Sequence, residues 1–252
     1  MHFAKRRRGA AILALAAALL ALSLPAWAEE APYTGAVFTY KAAGEGAAIT
    51  GFDEGYLASL TAAQKQDIAI VLPETIGGKP VTAIGADAFS NNTHPSYKEC
   101  RFTSLDLSQA THLVQIGDQA FDGHSELTGP LVLPASLESI GMQAFMNCQF
   151  TGLLDLPAAL TTLGKSAFRY NTGLTGVRFP AGLTTIESAA FSGCTKLSGE
   201  LAFPPSLQSI GSQAFQECPA LTGTLTLPDG LTHLGSQAFY GTNSSTAVLP
   251  QN

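Results

Sequence analysis

Positive charge, long apolar runs and catalytic signatures are all scarce in this chain. Lysine and arginine number 13 among 252 residues, against 19 aspartates and glutamates. Neither nucleic acid nor an anionic membrane is therefore an expected partner, since both are held by clustered cations. Four of those cations, Lys5, Arg6, Arg7 and Arg8, crowd near the N-terminus, ahead of an apolar stretch at 10–24 and the small-x-small site Ala26-Trp27-Ala28. The stretch is shorter than the roughly 18 to 20 residues a membrane span requires. The segment 1–28 thus reads as a secretory signal peptide cleaved after Ala28. Its removal takes the net charge from −6 to −10, because nine cations remain against the same 19 acids. No second run is long enough to cross a bilayer, so membrane insertion is not expected after cleavage. No cysteine near the cleavage site offers a lipid attachment point. The ending Leu249-Pro250-Gln251-Asn252 looks only superficially like a sortase signal, lacking the Thr-Gly and the hydrophobic tail.

The catalytic motifs are missing as well. No Gly-x-Ser-x-Gly elbow occurs, and Gly164-Lys165-Ser166 copies only the end of a phosphate-binding loop, with Ala159 where its first glycine is required. His94, His112, His124 and His233 share no metal-ligand spacing; the grouping His94, Cys100 and His124 is the one metal alternative. No catalysis, cofactor or metal is expected.

What is present is one phrase repeated. Ile84-Gly85-Ala86-Asp87-Ala88-Phe89 returns at 116–121, 140–145, 163–168, 186–191, 210–215 and 234–239, with Leu163 and Leu234 for isoleucine and Glu187 for glycine. The phenylalanines at 89, 121, 145, 168, 191, 215 and 239 are spaced by 32, 24, 23, 23, 24 and 24 residues. A period in the twenties specifies a solenoid, each coil burying its apolar side only against its neighbours. The alternating segments such as Leu131-Val132-Leu133 suit short strands with one outward residue, ended by proline, which cannot donate to a ladder. Stacking them predicts a parallel sheet through eight coils ending at Leu72, Leu107, Leu133, Leu156, Phe179, Phe203, Leu227 and Leu249. From that proline to the next phenylalanine is always 11 residues; the return half takes 12 or 13. Cys148, Cys194 and Cys218 follow their phenylalanine by three residues, in a column shared with Asn92, His124, Asn171 and Thr242. That alternation points to a ladder position capping backbone groups inside the turn. A disulfide between Cys194 and Cys218, on neighbouring coils, is the alternative.

The unit from Leu133-Pro134 through Ile140-Gly141 and Ala144-Phe145 to Cys148 resembles the BspA-like, or treponemal-type, leucine-rich repeat. So does the lead-in Ile76-Gly77-Gly78-Lys79-Pro80-Val81, and the likeness covers about residues 47–250. The expected fold is a leucine-rich-repeat solenoid, mainly short parallel strands with turns and little helix. Residues 29–67 are expected to form an N-terminal β-hairpin-like cap with a degenerate first repeat, and 68–252 the repeats proper. Within the cap, residues 37–40 and 48–52 read as the hairpin, and 54–65 as helical.

The 32-residue spacing marks an insertion within 91–103. His94, Tyr97, Lys98, Arg101 and Phe102 there are contact-prone residues that the regular coils lack, on a segment expected to lend the core no anchor. A tolerated surface excursion is the bland alternative. On the outward strand face, Val71, Asp106, Val132, Asp155, Arg178, Ala202, Thr226 and Val248, only Arg178 is of a type favoured at binding hot spots. The resemblance implies a secreted or cell-surface, adhesin-like binding module that contacts host matrix, host-cell or microbial surface proteins. The alternative is a structural repeat region of a larger surface assembly whose specificity lies in another chain.

Overall fold

The computed structural model describes residues 37–248, so the expected signal peptide and the last segment at Leu249 lie outside it. The described chain begins with an antiparallel hairpin, β1 (Phe38–Ala43) and β2 (Gly46–Phe52), turned through Gly44 and Glu45. Two short helices follow. In α1 (Glu54–Ser59) the Asp53 carboxylate accepts from the Tyr56 N–H, and α2 (Ala62–Lys65) opens with a capping box of Thr61 and Gln64. From there to Val248 the molecule is a solenoid of short strands and turns, with one 3-10 turn at Pro95–Glu99.

The strand that repeats in every coil is not the expected one. It is the residue pair before the repeat glycine. Lys79–Ile84, Gln115–Ile116, Ser139–Ile140 and Thr162–Leu163 extend the sheet that β1 and β2 begin, all in parallel from β2 onward. Thr185–Ile186, Ser209–Ile210 and His233–Leu234 form a second parallel run. Around the corner lies a further ladder: Gln119, Phe121 and Gly123 donate to the carbonyls of Met142, Ala144 and Met146. The same three rungs recur from Asp87 to Tyr240. They require the residue two before each alanine–phenylalanine pair's ring, from Asp87 to Gln237, to take φ of 54–61°. The left-handed conformation is tolerated there as single residues held by bonds on both sides.

The alternating segments were expected to stack as one sheet, and this is corrected. Their faces are as read: Leu131, Leu133, Leu154, Leu156, Leu225 and Leu227 are buried, with Val132, Asp155 and Thr226 exposed. Their hydrogen bonding is patchy. Gln149–Asp155 pairs Gly173–Arg178, Thr222–Thr226 pairs Asn243–Val248, and Ile68–Val71 pairs Phe102–Asp106, each with a register shift. Residues 131–133 and 201–203 form no strand. Two of the shifts fall directly after a glycine at positive φ, Gly152 and Gly223, where the strand bulges. The 11-residue half never changes, and its turn rungs recur from coil to coil.

The core is a file of rings. Phe89, Phe121, Phe145, Phe168, Phe191, Phe215 and Phe239 stack with centroids 5.2–5.7 Å apart and planes within 16°. Burying each is worth roughly 1.5–3 kcal/mol.

Candidate interaction site

The inserted segment is anchored in the core, against expectation. Pro95 starts the 3-10 turn, which aims Tyr97 inward, where it is 2% exposed. Its hydroxyl accepts from the Phe52 N–H at 2.9 Å and donates to the Ala88 carbonyl at 3.0 Å. Gly51 makes the space: a Cβ there, at φ 146°, would lie 2.6 Å from the tyrosine oxygen. Burial pushes the Tyr97 phenol up to about 12. Tyr97 therefore bolts the end of β2 to the first repeat turn. Phe102 is fully buried against Phe52, Tyr97 and His124. It pairs in register with Ile68 of the strand before it, which is also buried. The signal was available: Phe102-Thr103 stands near the start of its strand as Phe150-Thr151 does in Gln149–Asp155. Tyr97 and Phe102 are thus structural, and the reading of the insertion as free of core anchors is withdrawn.

The polar residues of the insertion do reach the surface. Lys98 is exposed, and Arg101, also exposed, pairs with Glu126 at 2.6 Å. His94 is half-buried, its ring packed on Tyr97 at 4.6 Å. Between α1, α2 and the 3-10 turn lies a cleft of about 500 Å³. Leu57, Ala58 and Pro95 supply its apolar lining; Glu54, Lys65 and Glu99 supply charge, with Lys65 3.5 Å from Glu99. Sequence reading missed this cleft because its two walls are 29 or more residues apart. Arg178 lies elsewhere, on Gly173–Arg178, paired with Asp155 of the neighbouring coil at 3.1 Å. The structure does not draw it into the cleft lining.

The ladder column is a set of buried caps. Cys148, Cys194 and Cys218 direct Sγ at the carbonyls of Phe121, Phe168 and Phe191, at 3.2–3.3 Å. Asn171 donates to Phe145 O at 2.7 Å, and His124 Nε2 to Phe89 O. Each bonds the carbonyl of the previous coil's phenylalanine; those of Phe145, Phe168 and Phe191 also accept a backbone N–H within their own coil, from Cys148, Asn171 and Cys194. Burial raises all three thiols, Cys218 to about 12, so they are protonated and poor nucleophiles at neutral pH. All four cysteines are free. Burial lowers His124 to about 4, leaving it neutral. Among the described residues no cluster of three or more His, Cys, Asp or Glu is placed to hold a metal, and no helix is long and apolar enough to cross a membrane.

A family model described as the BspA type leucine rich repeat region matches in six copies, over residues 93–222 and 199–252. No curated protein matches the sequence. Among solved structures, a leucine-rich repeat protein from Bacteroides ovatus is similar, with a TM-score of 0.58 at 23% identity. The match covers 87% of this chain and only 59% of the other, so this chain spans under two thirds of that protein. A leucine-rich repeat protein of T. pallidum gives a TM-score of 0.46 at 24% identity, covering 69% of this chain and 82% of that one. Repeats of this type are in general protein-interaction modules rather than catalysts.

Proposed function

The chain belongs to the BspA-type leucine-rich repeat family, and on that premise we propose that it is a non-catalytic protein-binding module, secreted or held at the cell surface. In this reading it is adhesin-like, and its partners are host extracellular-matrix, host-cell or microbial surface proteins. The binding surface is the exposed side of the insertion, His94, Lys98 and Arg101, with Arg178 as a separate contact on the strand face. The observation that carries the reading is the Tyr97 anchor, which holds exposed cations on a turn bonded to two distant backbone groups. A preorganised turn loses little entropy on binding.

Binding of the chain from Glu29 onward to immobilised matrix and mucus proteins tests this. Lys98→Ala and Arg101→Ala should each weaken capture by roughly fivefold or more, the level of a modest hot spot. Arg178→Ala reports on the strand face in the same assay. Loss in none of the three overturns the site assignment, and no capture by the parent chain overturns the function. N-terminal sequencing of exported protein should begin at Glu29.

The second reading is a structural repeat region of a larger surface assembly. It is favoured by the last coil, where Leu234, Tyr240 and Val248 are 46%, 59% and 45% exposed. That reading predicts capture only together with another chain.

A further inference from the structure

The repeat glycine has a physical task, and one coil lacks it. In six coils its N–H donates to the carbonyl of the preceding strand's isoleucine: Gly85 to Ile49, Gly117 to Ile84, Gly141 to Ile116, Gly164 to Ile140, Gly211 to Ile186 and Gly235 to Ile210, at 2.7–2.8 Å. From Gly117 onward a Cβ at each would stand 2.2–2.6 Å from the preceding coil's backbone, closer than atoms can approach; at Gly85, against the hairpin, it would stand 3.2 Å from the Ile49 carbonyl oxygen. The one remaining position is Glu187, which carries a Cβ.

There the ladder opens. Among the described residues no backbone bond joins Glu187 to Leu163, or Thr185 to Thr161, although the equivalent rungs form on both sides. The sheet that starts at β1 stops at Thr162–Leu163, and a new one starts at Thr185–Ile186. The ring pair across this step, Phe168 and Phe191, is also the widest in the file, at 5.7 Å against 5.2–5.5 Å. On the opposite side the three turn rungs persist, from Ser166, Phe168 and Tyr170 to Ser188, Ala190 and Ser192.

We infer that the solenoid is jointed at Glu187: the turn side is the pivot, the strand side is the gap, and two stacked blocks bend about it. In a solenoid each coil is held only by its neighbours, so the weakest interface is where opening occurs. The block before the joint carries the cap and insertion; the block after it carries the exposed apolar coil.

Amide hydrogen exchange on the full chain, compared with Glu187→Gly and Glu187→Ala, tests this. In the parent, the Glu187 amide exchanges much faster than those of Gly164 and Gly211. Glu187→Gly closes the gap and slows that amide by roughly fivefold to tenfold, as expected for one net hydrogen bond. Glu187→Ala keeps the Cβ and leaves exchange fast. Spin labels placed at Ser125 and Asp229 should show a distance distribution that narrows in Glu187→Gly alone. Protection of the parent amide equal to its neighbours', closure by alanine, or an unchanged distribution would each overturn the joint.

Discussion

At its first coil the ring file meets the hairpin. Phe38 and Phe52 lie edge-on to Phe89, at 5.9 and 5.3 Å, and Tyr97 ties Phe52 to the turn that carries Phe89. At its last coil the file stacks on one side only: Phe239 rests on Phe215 at 5.3 Å and is half-buried, while Leu234 and Tyr240 beside it are exposed. The repeat is the same at both, yet among the described residues only the first coil is covered by rings from outside the repeat. The difference teaches that the repeat builds an interior without building a boundary. Two perpendicular rings and one tyrosine from outside the regular repeat supply the boundary at the first coil.

The sharpest way to break this contrast is to remove a ring at each end. Phe52→Ala should cost about 3–5 kcal/mol, like Phe168→Ala in the middle of the file, because each leaves a cavity enclosed on all sides. Phe239→Ala should cost about 1–2 kcal/mol, since solvent already reaches that ring. Equal losses in denaturant titration would mean that stacking on both sides does not matter. The next effect is specific to the shielded end. His124 is buried neutral with its pKa lowered to about 4, against an ordinary 6.5. The unfolded chain therefore binds the extra proton first, so stability is full above about pH 6.5 and is lost as pH falls toward 4, by about 2–3 kcal/mol. Burial raises Asp122, which acts in the opposite sense near the usual carboxylate range. His124→Asn, matching Asn171, should flatten the curve between pH 6.5 and 4, and an unchanged pH dependence would refute the assignment.

Smaller effects sharpen the contrast. Tyr97→Phe keeps the ring and removes two bonds, leaving the Phe52 amide and Ala88 carbonyl without them; about 1–3 kcal/mol should be lost. A loss confined to the surface mobility of 91–101 would show that the hydroxyl is not the bolt. Cys148→Ser sits mid-file and keeps a donor for Phe121 O, so its cost should stay under about 1 kcal/mol and be insensitive to reductant. A large loss in calorimetry would place more weight on sulfur packing than the ladder allows.

Much of this was legible because it is local. The phenylalanine interval names the core ring of each coil, and the alternation of Cys with Asn names the cap, since both must satisfy the same carbonyl. The hairpin was legible from its glycines, although β1 runs three residues further than read, to Ala43. The insertion misled because its residue types suit binding and core equally: Tyr97 and Phe102 look contact-prone in a list, and only their partners, Phe52, Ala88 and His124, show otherwise.

The sequence by itself determined the coil, its period, its inward face and its stacking residue, because each coil repeats the same apolar and turn pattern against a copy of itself. Tertiary structure decided which half carries the continuous ladder, where Tyr97 points and what Glu187 does. Those depend on distances between backbones of different coils, where a few tenths of an ångström separate a hydrogen bond from a clash. No single coil contains that distance.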